Sequence, residues 1–406
     1  MGSEIANSKT NRLNNGKFKE NILYNIKSKV VMKKIVEKIQ KLTLLKLFNY
    51  NKKIQLKLDL TLDDYKSNSL IEIELIPKDQ GISNNFFINY DKNTKKYFHI
   101  FFDDNKEEVD RNYFLWNDQV QKIRIVIDVH IKSFKELFSD CICIKTIDFL
   151  LFKRRGIKDM SKMFYNCLAE NIHLHSFNSS EVKDMSYMFY DCSLVKKLNL
   201  RKFKTANLEN MSHMFHGCED CKRIVTSNLN TKNVTNMSNM FYNCSSLKKI
   251  NLSSFITEKV IYMDSMFFGC ASLKNLNFSP FHTSNVINMN HMFSYCKSFK
   301  NLDLSFFDTK KVTDMSCMFL KCLSLEKLNI SKFNTENVKN MNEMFSGCSK
   351  LYELDISSFD NSKTHSTEKM FSSCLSLKKI FVTKWISKSP TTFSECKHHI
   401  EVINKN

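Results

Sequence analysis

Two hydrophobic periods divide this chain. Between residues 22 and 48 the apolar positions Ile26, Val30, Ile35, Ile39, Leu42 and Leu45 recur at helical spacing, with Lys33, Lys34, Lys38 and Lys41 between them. That predicts a basic amphipathic helix over 21–49. Residues 1–20 are polar, with little to bury, and read as a disordered tail. The period then changes to two: Ile54, Leu56, Leu58 and Leu60 alternate with polar residues, as do Ile71, Ile73 and Leu75. Such alternation predicts half-buried strands. Further extended candidates are FFINY at 86–90, YFHIFF at 97–102 and KIRIVIDV at 122–129, separated by turn-like PKDQGISNN and DDNKEEVD. Residues 50–121 therefore read as a small β-rich domain, and KIRIVIDV as the first strand of the next domain.

A longer period then takes over. Met-x-x-Met-Phe-x-x-Cys reads MSKMFYNC at Met160–Cys167, MSYMFYDC at Met185–Cys192, MSNMFYNC at Met237–Cys244 and MNEMFSGC at Met341–Cys348. The cysteines Cys192, Cys218, Cys244, Cys270, Cys296, Cys322, Cys348 and Cys374 are each 26 residues apart, and Cys141, Cys167 and Cys396 extend the row. A fixed period of this size is the mark of a solenoid, whose repeats bury one another. After Cys244, Leu247, Ile250, Leu252 and Phe255 predict a short strand; Val260, Met263, Met266 and Phe267 predict one or two helical turns. Asn or Asp stands before the first Met (Asp159, Asp184, Asn210, Asn236, Asn288, Asp314, Asn340), where it would cap that helix. Thr205, Thr231, Thr257, Thr283, Thr309 and Thr335 suit the turn between strand and helix. The predicted architecture is an α/β repeat solenoid, leucine-rich-repeat-like, of about eleven coils over 122–396, with a C-terminal cap at 397–406.

The phrase FNTENVKNMNEMFSGCSKLYELDIS, Phe333 to Ser357, resembles the BspA-like leucine-rich repeats, in their Mycoplasma lipoprotein-associated branch. The resemblance spans about residues 130–396. It implies a right-handed leucine-rich-repeat-like solenoid and an adhesion or surface role without assigned chemistry. Residues 1–120 carry no such resemblance.

Composition narrows the function. The 406 residues hold 61 Lys and Arg against 42 Asp and Glu, a formal net charge of +19. The positions just before each strand concentrate that excess: Lys196, Lys197, Lys222, Arg223, Lys248, Lys249, Lys274, Lys300, Lys327, Lys378 and Lys379. Stacked coils would turn them into a basic stripe, a candidate surface for an acidic protein, an anionic membrane or an acidic polymer. The competing reading is a solvated lysine face in a lysine-rich chain. No aromatic platform alternates with the stripe, which argues against nucleic acid.

The remaining chemistry is sparse. Eleven of 14 cysteines share one register, the pattern of buried reduced thiols that act as small hydrophobes. Cys218 and Cys221 form a lone C-x-x-C pair, short of a zinc ligand set, and the Met rows pack rather than bind soft metal. The outward row Asp148, Asn199, Asn251, Asn277, Asp303, Asn329 and Asp355 reads as a polar ladder. No phosphate loop, nucleophile elbow, H-E-x-x-H or dinucleotide glycine pattern occurs, and no cofactor or metal is expected. No apolar run reaches the roughly 20 residues of a membrane span. The N-terminus carries no signal-peptide pattern, and Ala6 spoils a myristoylation motif at Gly2, so a cytoplasmic location is expected, with the cell surface as the alternative. The chain thus reads as a non-catalytic protein–protein interaction or scaffold protein, with an adhesin-like surface protein as the alternative.

Overall fold

The computed structural model describes residues 70–78, 84–128, 130–152, 156–383, 391–392 and 400–405. The tail expected at 1–20, the helix at 21–49, the strand at Ile54–Leu60 and Cys396 lie outside the described residues.

The expected alternation around Ile71 and Ile125 forms strands. β1 (Ile71–Pro77), β2 (Phe98–Phe102), β3 (Ile123–Ile127), β4 (Ile144–Phe152) and β5 (Asn171–His173) make one sheet in the order β2-β3-β1-β4-β5. Ile71, Ile73, Leu75, Ile123, Ile125 and Ile127 all point inward and are fully buried. β3 does not open the solenoid, as its sequence position suggests. Instead it pairs antiparallel with both β1 and β2, in the registers Ile73↔Ile125 and Ile100↔Ile125. Parallel stacking begins one strand later, at β4 and β5, with Thr146↔Asn171. β1 covers the other edge of β4, so the first solenoid strand presents no free ladder. FFINY is no strand: Phe86 makes a single bridge to Tyr113, while Phe87 and Ile88 are buried.

The solenoid continues through three-residue parallel strands: β6 (Lys197–Asn199), β7 (Arg223–Val225), β8 (Asn301–Asp303), β9 (Lys327–Asn329) and β10 (Glu353–Asp355). β11 (Lys379–Val382) and β12 (Glu401–Asn404) end it. The central residue of each strand points inward, as Leu198 and Leu354 show. One phenylalanine row runs the length of the core, from Phe138 to Phe371. It makes nine stacked pairs, with ring centroids 5.2–5.9 Å apart. Those pairs mark about nine turns, fewer than the eleven coils that counting cysteines through Cys396 suggests.

The helix expected in each coil is absent, and α/β is corrected to a β-solenoid. Among the described residues the only helical segment is a 3-10 turn at Lys95–Tyr97. The reason lies in the backbone of Met160–Cys167. Lys162 and Asn166 adopt φ of 54° and 50°, in the left-handed region. A helix needs negative φ throughout and returns each N–H four residues back along its own chain. Here the N–H groups of Met160, Lys162, Phe164 and Asn166 go to the carbonyls of Asp184, Ser186, Met188 and Tyr190 in the next coil, at 2.7–3.0 Å. The intervening N–H groups close i to i−3 turns, such as Cys167 to Phe164 at 3.1 Å. Asp159 therefore caps no helix. Its carboxylate accepts the Ser161 N–H at 2.8 Å, an Asx turn, and Asp184, Asn210, Asn236, Asn288, Asp314 and Asn340 do the same two residues on.

The threonine row stitches the opposite corner. Thr257 is fully buried; its hydroxyl donates to the His282 carbonyl at 2.9 Å and accepts the His282 N–H at 2.8 Å. Thr205, Thr231, Thr309 and Thr335 make the same pair of bonds to the next coil.

Candidate functional site

The strand face carries the lysines singled out from the sequence. Within β6 and β7 the inward residues Leu198 and Ile224 force their neighbours outward, so Lys197 and Arg223 are exposed and sit in register. Lys249 follows Arg223 through a parallel bridge. Lys327 pairs with Asn301, and Lys379 with Glu353. A second column stands one residue earlier. The Lys222 N–H donates to the Lys196 carbonyl at 3.0 Å, the Glu326 N–H to Lys300 at 2.8 Å, and the Lys378 N–H to Tyr352 at 2.8 Å. Five successive coils thus place Lys196, Lys222, Lys248, Lys274 and Lys300 in one column before Glu326 and Tyr352 break it. All eleven stripe residues are exposed except Lys379, which is half-buried.

Their charge is uncommitted. The lysine ion pairs of the described residues use Lys95, Lys122, Lys162, Lys183, Lys363 and Lys405, and none uses a stripe residue. Only Lys378 has a ring partner, lying 5.5 Å above Tyr352. Coils rise about 4.8 Å, so neighbouring ammonium groups repel by only about 1 kcal/mol in water, and core burial holds them in place.

Between β7 and β8 the strand ladder opens. The coil pairs flanking this stretch carry full three-residue ladders. Among the described residues no backbone hydrogen bond joins 274–277 to either neighbouring coil. The turn side of the same coils stays fully bonded, as Ser265 N–H to Asn290 at 2.8 Å and Gly269 N–H to Ser294 at 2.8 Å show. The ladder is likewise interrupted between β5 and β6 and between β9 and β10, but bulkier core residues mark this stretch. The row Leu200, Thr226, Leu252, Leu304, Ile330 and Ile356 is aliphatic or small except for Phe278, and Phe299 similarly replaces Leu in the row of Leu247, Leu273, Leu325 and Leu351. Phe278 is buried edge-on against Phe267, Phe281, Phe293 and Phe307, with centroids 5.2–5.9 Å away. The opening forms a basin of about 490 Å³ lined by Lys248, Lys249, Ile250, Ser272, Lys274, Asn275 and Ser298.

The sulfur rows face inward. All thirteen described cysteines are free, and every one but Cys317 is buried. Cys192, Cys244 and Cys270 donate their thiols to the carbonyls of Phe164, Phe215 and Phe241, at 3.0–3.2 Å. Burial pushes Cys167, Cys270 and Cys322 up to about 12, so these are neither nucleophiles nor thiolate ligands at neutral pH. The described residues contain no group of three or more His, Cys, Asp and Glu side chains that could hold a metal ion, and no helix long and apolar enough to cross a membrane. From Asn199 onward the outward Asn and Asp residues accept the N–H two residues on, as Asn251 does from Ser253 at 2.9 Å, whereas Asp148 lies mid-strand in β4 with His173 at 3.3 Å.

One column was not expected from the sequence. The residue after each core Phe forms its own row on the turn face. Tyr165, Tyr190, His216, Tyr242 and Phe268 stack at 4.2–4.7 Å, and Tyr187 stacks on His213 at 4.4 Å. Their recurrence after Phe at the repeat period was the available signal. Burial lowers His213 and His216 to about 4, with His216 adding to the effect on His213.

A family model described as "Mycoplasma protein of unknown function, DUF285" matches residues 132–227, 220–327 and 300–406. No curated protein matches the chain.

Proposed function

The chain belongs to this Mycoplasma repeat family of unknown function, its matches together spanning 132–406, and on that premise we propose that it is a non-catalytic interaction protein that holds an acidic protein partner along the strand face. One observation carries the reading: five successive coils present lysines in a single exposed column whose charge no carboxylate of the described residues neutralises. Complementary potential of this kind speeds encounter and fixes register more than it adds raw affinity. The solenoid acts as a scaffold, and its buried rows of sulfur and aromatic side chains set the spacing of the charges. The Phe333–Ser357 phrase supports a finer placing among BspA-like leucine-rich repeats.

Thirteen free thiols suit a reducing compartment, and we place the protein in the cytoplasm. The adhesin-like alternative predicts surface labelling of intact cells, which localisation of the native protein with both termini intact decides. The stripe itself is tested with Lys222→Glu, Lys248→Glu and Lys300→Glu combined, measuring binding to an acidic polypeptide across a salt series. Wild-type affinity should fall steeply with salt, and the variant should lose that dependence. Equal affinity and equal salt slope for both proteins would remove the stripe from the binding surface.

A further inference from the structure

The ladder under the stripe is interrupted more than once, and the interruption between β7 and β8 is lined by three of its lysines. Lys248, Lys249 and Lys274 converge on the basin between β7 and β8, beside the hydroxyls of Ser272 and Ser298 and the amide of Asn275. The backbone N–H groups of 274–277 add donors that the broken ladder leaves unspent. Where the strands pair, those N–H groups are consumed between coils, as Leu304 N–H to Asn329 at 2.9 Å and Leu200 N–H to Val225 at 3.0 Å show. The basin therefore combines three point charges with short hydroxyl and backbone donors around a volume of about 490 Å³. This donor set matches a multiply charged tetrahedral oxyanion, which accepts many hydrogen bonds in several directions. A planar carboxylate would favour the fork of arginine, and the basin has none.

We propose that this basin binds a phosphate or sulfate ester group carried by the partner, anchoring it at one point of the stripe. The proposal rests on the acidic-partner reading above and gives that partner a modified residue. Phe278 packs beneath this stretch, where Leu252 and Leu304 stand at the equivalent positions of the neighbouring coils.

The test is calorimetry on the full chain at fixed ionic strength, with a phosphoserine peptide, its unmodified acidic counterpart, a sulfated oligosaccharide and inorganic phosphate as separate probes. The phosphopeptide and oligosaccharide arms tell the two ester sources apart. Lys248→Gln with Lys249→Gln and Lys274→Gln should weaken the ester probes by about tenfold or more, the scale of one lost hydrogen bond to a charged group. Ser272→Ala with Ser298→Ala should weaken them while leaving net charge unchanged. Lys378→Gln with Lys379→Gln should leave them unchanged, because those residues lie four coils from Lys274, about 19 Å at about 4.8 Å per coil, beyond the roughly 8 Å screening length.

Equal losses in the basin and distal lysine variants would reduce the site to diffuse attraction and overturn the proposal. Retained ester affinity in the serine double variant would overturn it too. Either result would leave the acidic-polypeptide test of the whole stripe standing.

Discussion

Thr257→Val isolates one hydroxyl in the middle of the stack. The two side chains share a β-branch, so the swap opens no cavity, but it replaces the O–H by a methyl that cannot bond and must shift from its 2.8–2.9 Å neighbours. The hydroxyl is fully buried and makes two bonds to one residue of the next coil, to the His282 carbonyl at 2.9 Å and from the His282 N–H at 2.8 Å. At about 0.5–1.5 kcal/mol net for each bond, the expected loss is about 1–3 kcal/mol. Thr257→Ser is the control. It keeps both bonds and removes one methyl, worth about 0.8 kcal/mol. Two assays read the result. The denaturation midpoint should fall more for Val than for Ser. Amide exchange should report locally: the His282 N–H should exchange about tenfold faster or more in the Val variant, since about 1.4 kcal/mol is a factor of ten. The Asn230 N–H, bonded to Thr205 at 2.7 Å, should keep its protection. If the Ser variant is the weaker, or His282 protection is unchanged in the Val variant, the row holds the corner by apolar packing and the hydrogen-bond argument is wrong.

Burial sets two further outcomes. Under native conditions iodoacetamide should label Cys317 ahead of Cys192, Cys244 and Cys270, because Cys317 alone among the described cysteines is half-exposed; denaturation should level the rates, and fast native labelling of the buried row would contradict the sealed core. Stability should decline as pH falls from about 6.5 toward about 4, because the unfolded chain protonates His213 and His216 before the folded one does. Asp191, whose Oδ1 lies 3.6 Å from His216 Nδ1 and whose pKa burial raises, opposes this trend. A His213→Phe, His216→Phe variant should therefore flatten the pH dependence of the melting temperature, and an unaltered slope would assign the effect to other groups.

The 26-residue period is legible because side-chain identity carries it: a core of stacked Phe, Met and Cys tolerates few replacements, so the phrase repeats with little drift. The pattern suggests a helix because Met160, Met163, Phe164 and Cys167 stand three and four apart, which is also the spacing of successive three-residue turns. Contrary evidence is present. The slot before most ladder cysteines holds Asp140, Asn166, Asp191, Gly217, Asn243, Gly269 or Gly347, residues that accept positive φ and that a helix interior avoids, while Tyr295, Lys321 and Ser373 take the same conformation without that preference. At Gly217 the need is steric as well, since an added Cβ would collide with the Asp191 carboxylate. The other left-handed slot, with Lys162, Tyr187, His213 and Ser265, shows no such preference, so half the signal is silent. Residues that resist this conformation cost about 1–2 kcal/mol each, and the bonds their N–H groups make to the next coil offset that cost. The same geometry explains why the stripe is legible and the basin is not. Backbone bonds on the turn face hold the stack whatever the outward side chains are, so charge is free to line up in columns. The basin lies instead at a gap in the strand ladder, and a hydrophobic pattern that predicts a strand in every coil carries no mark of where neighbouring strands fail to pair.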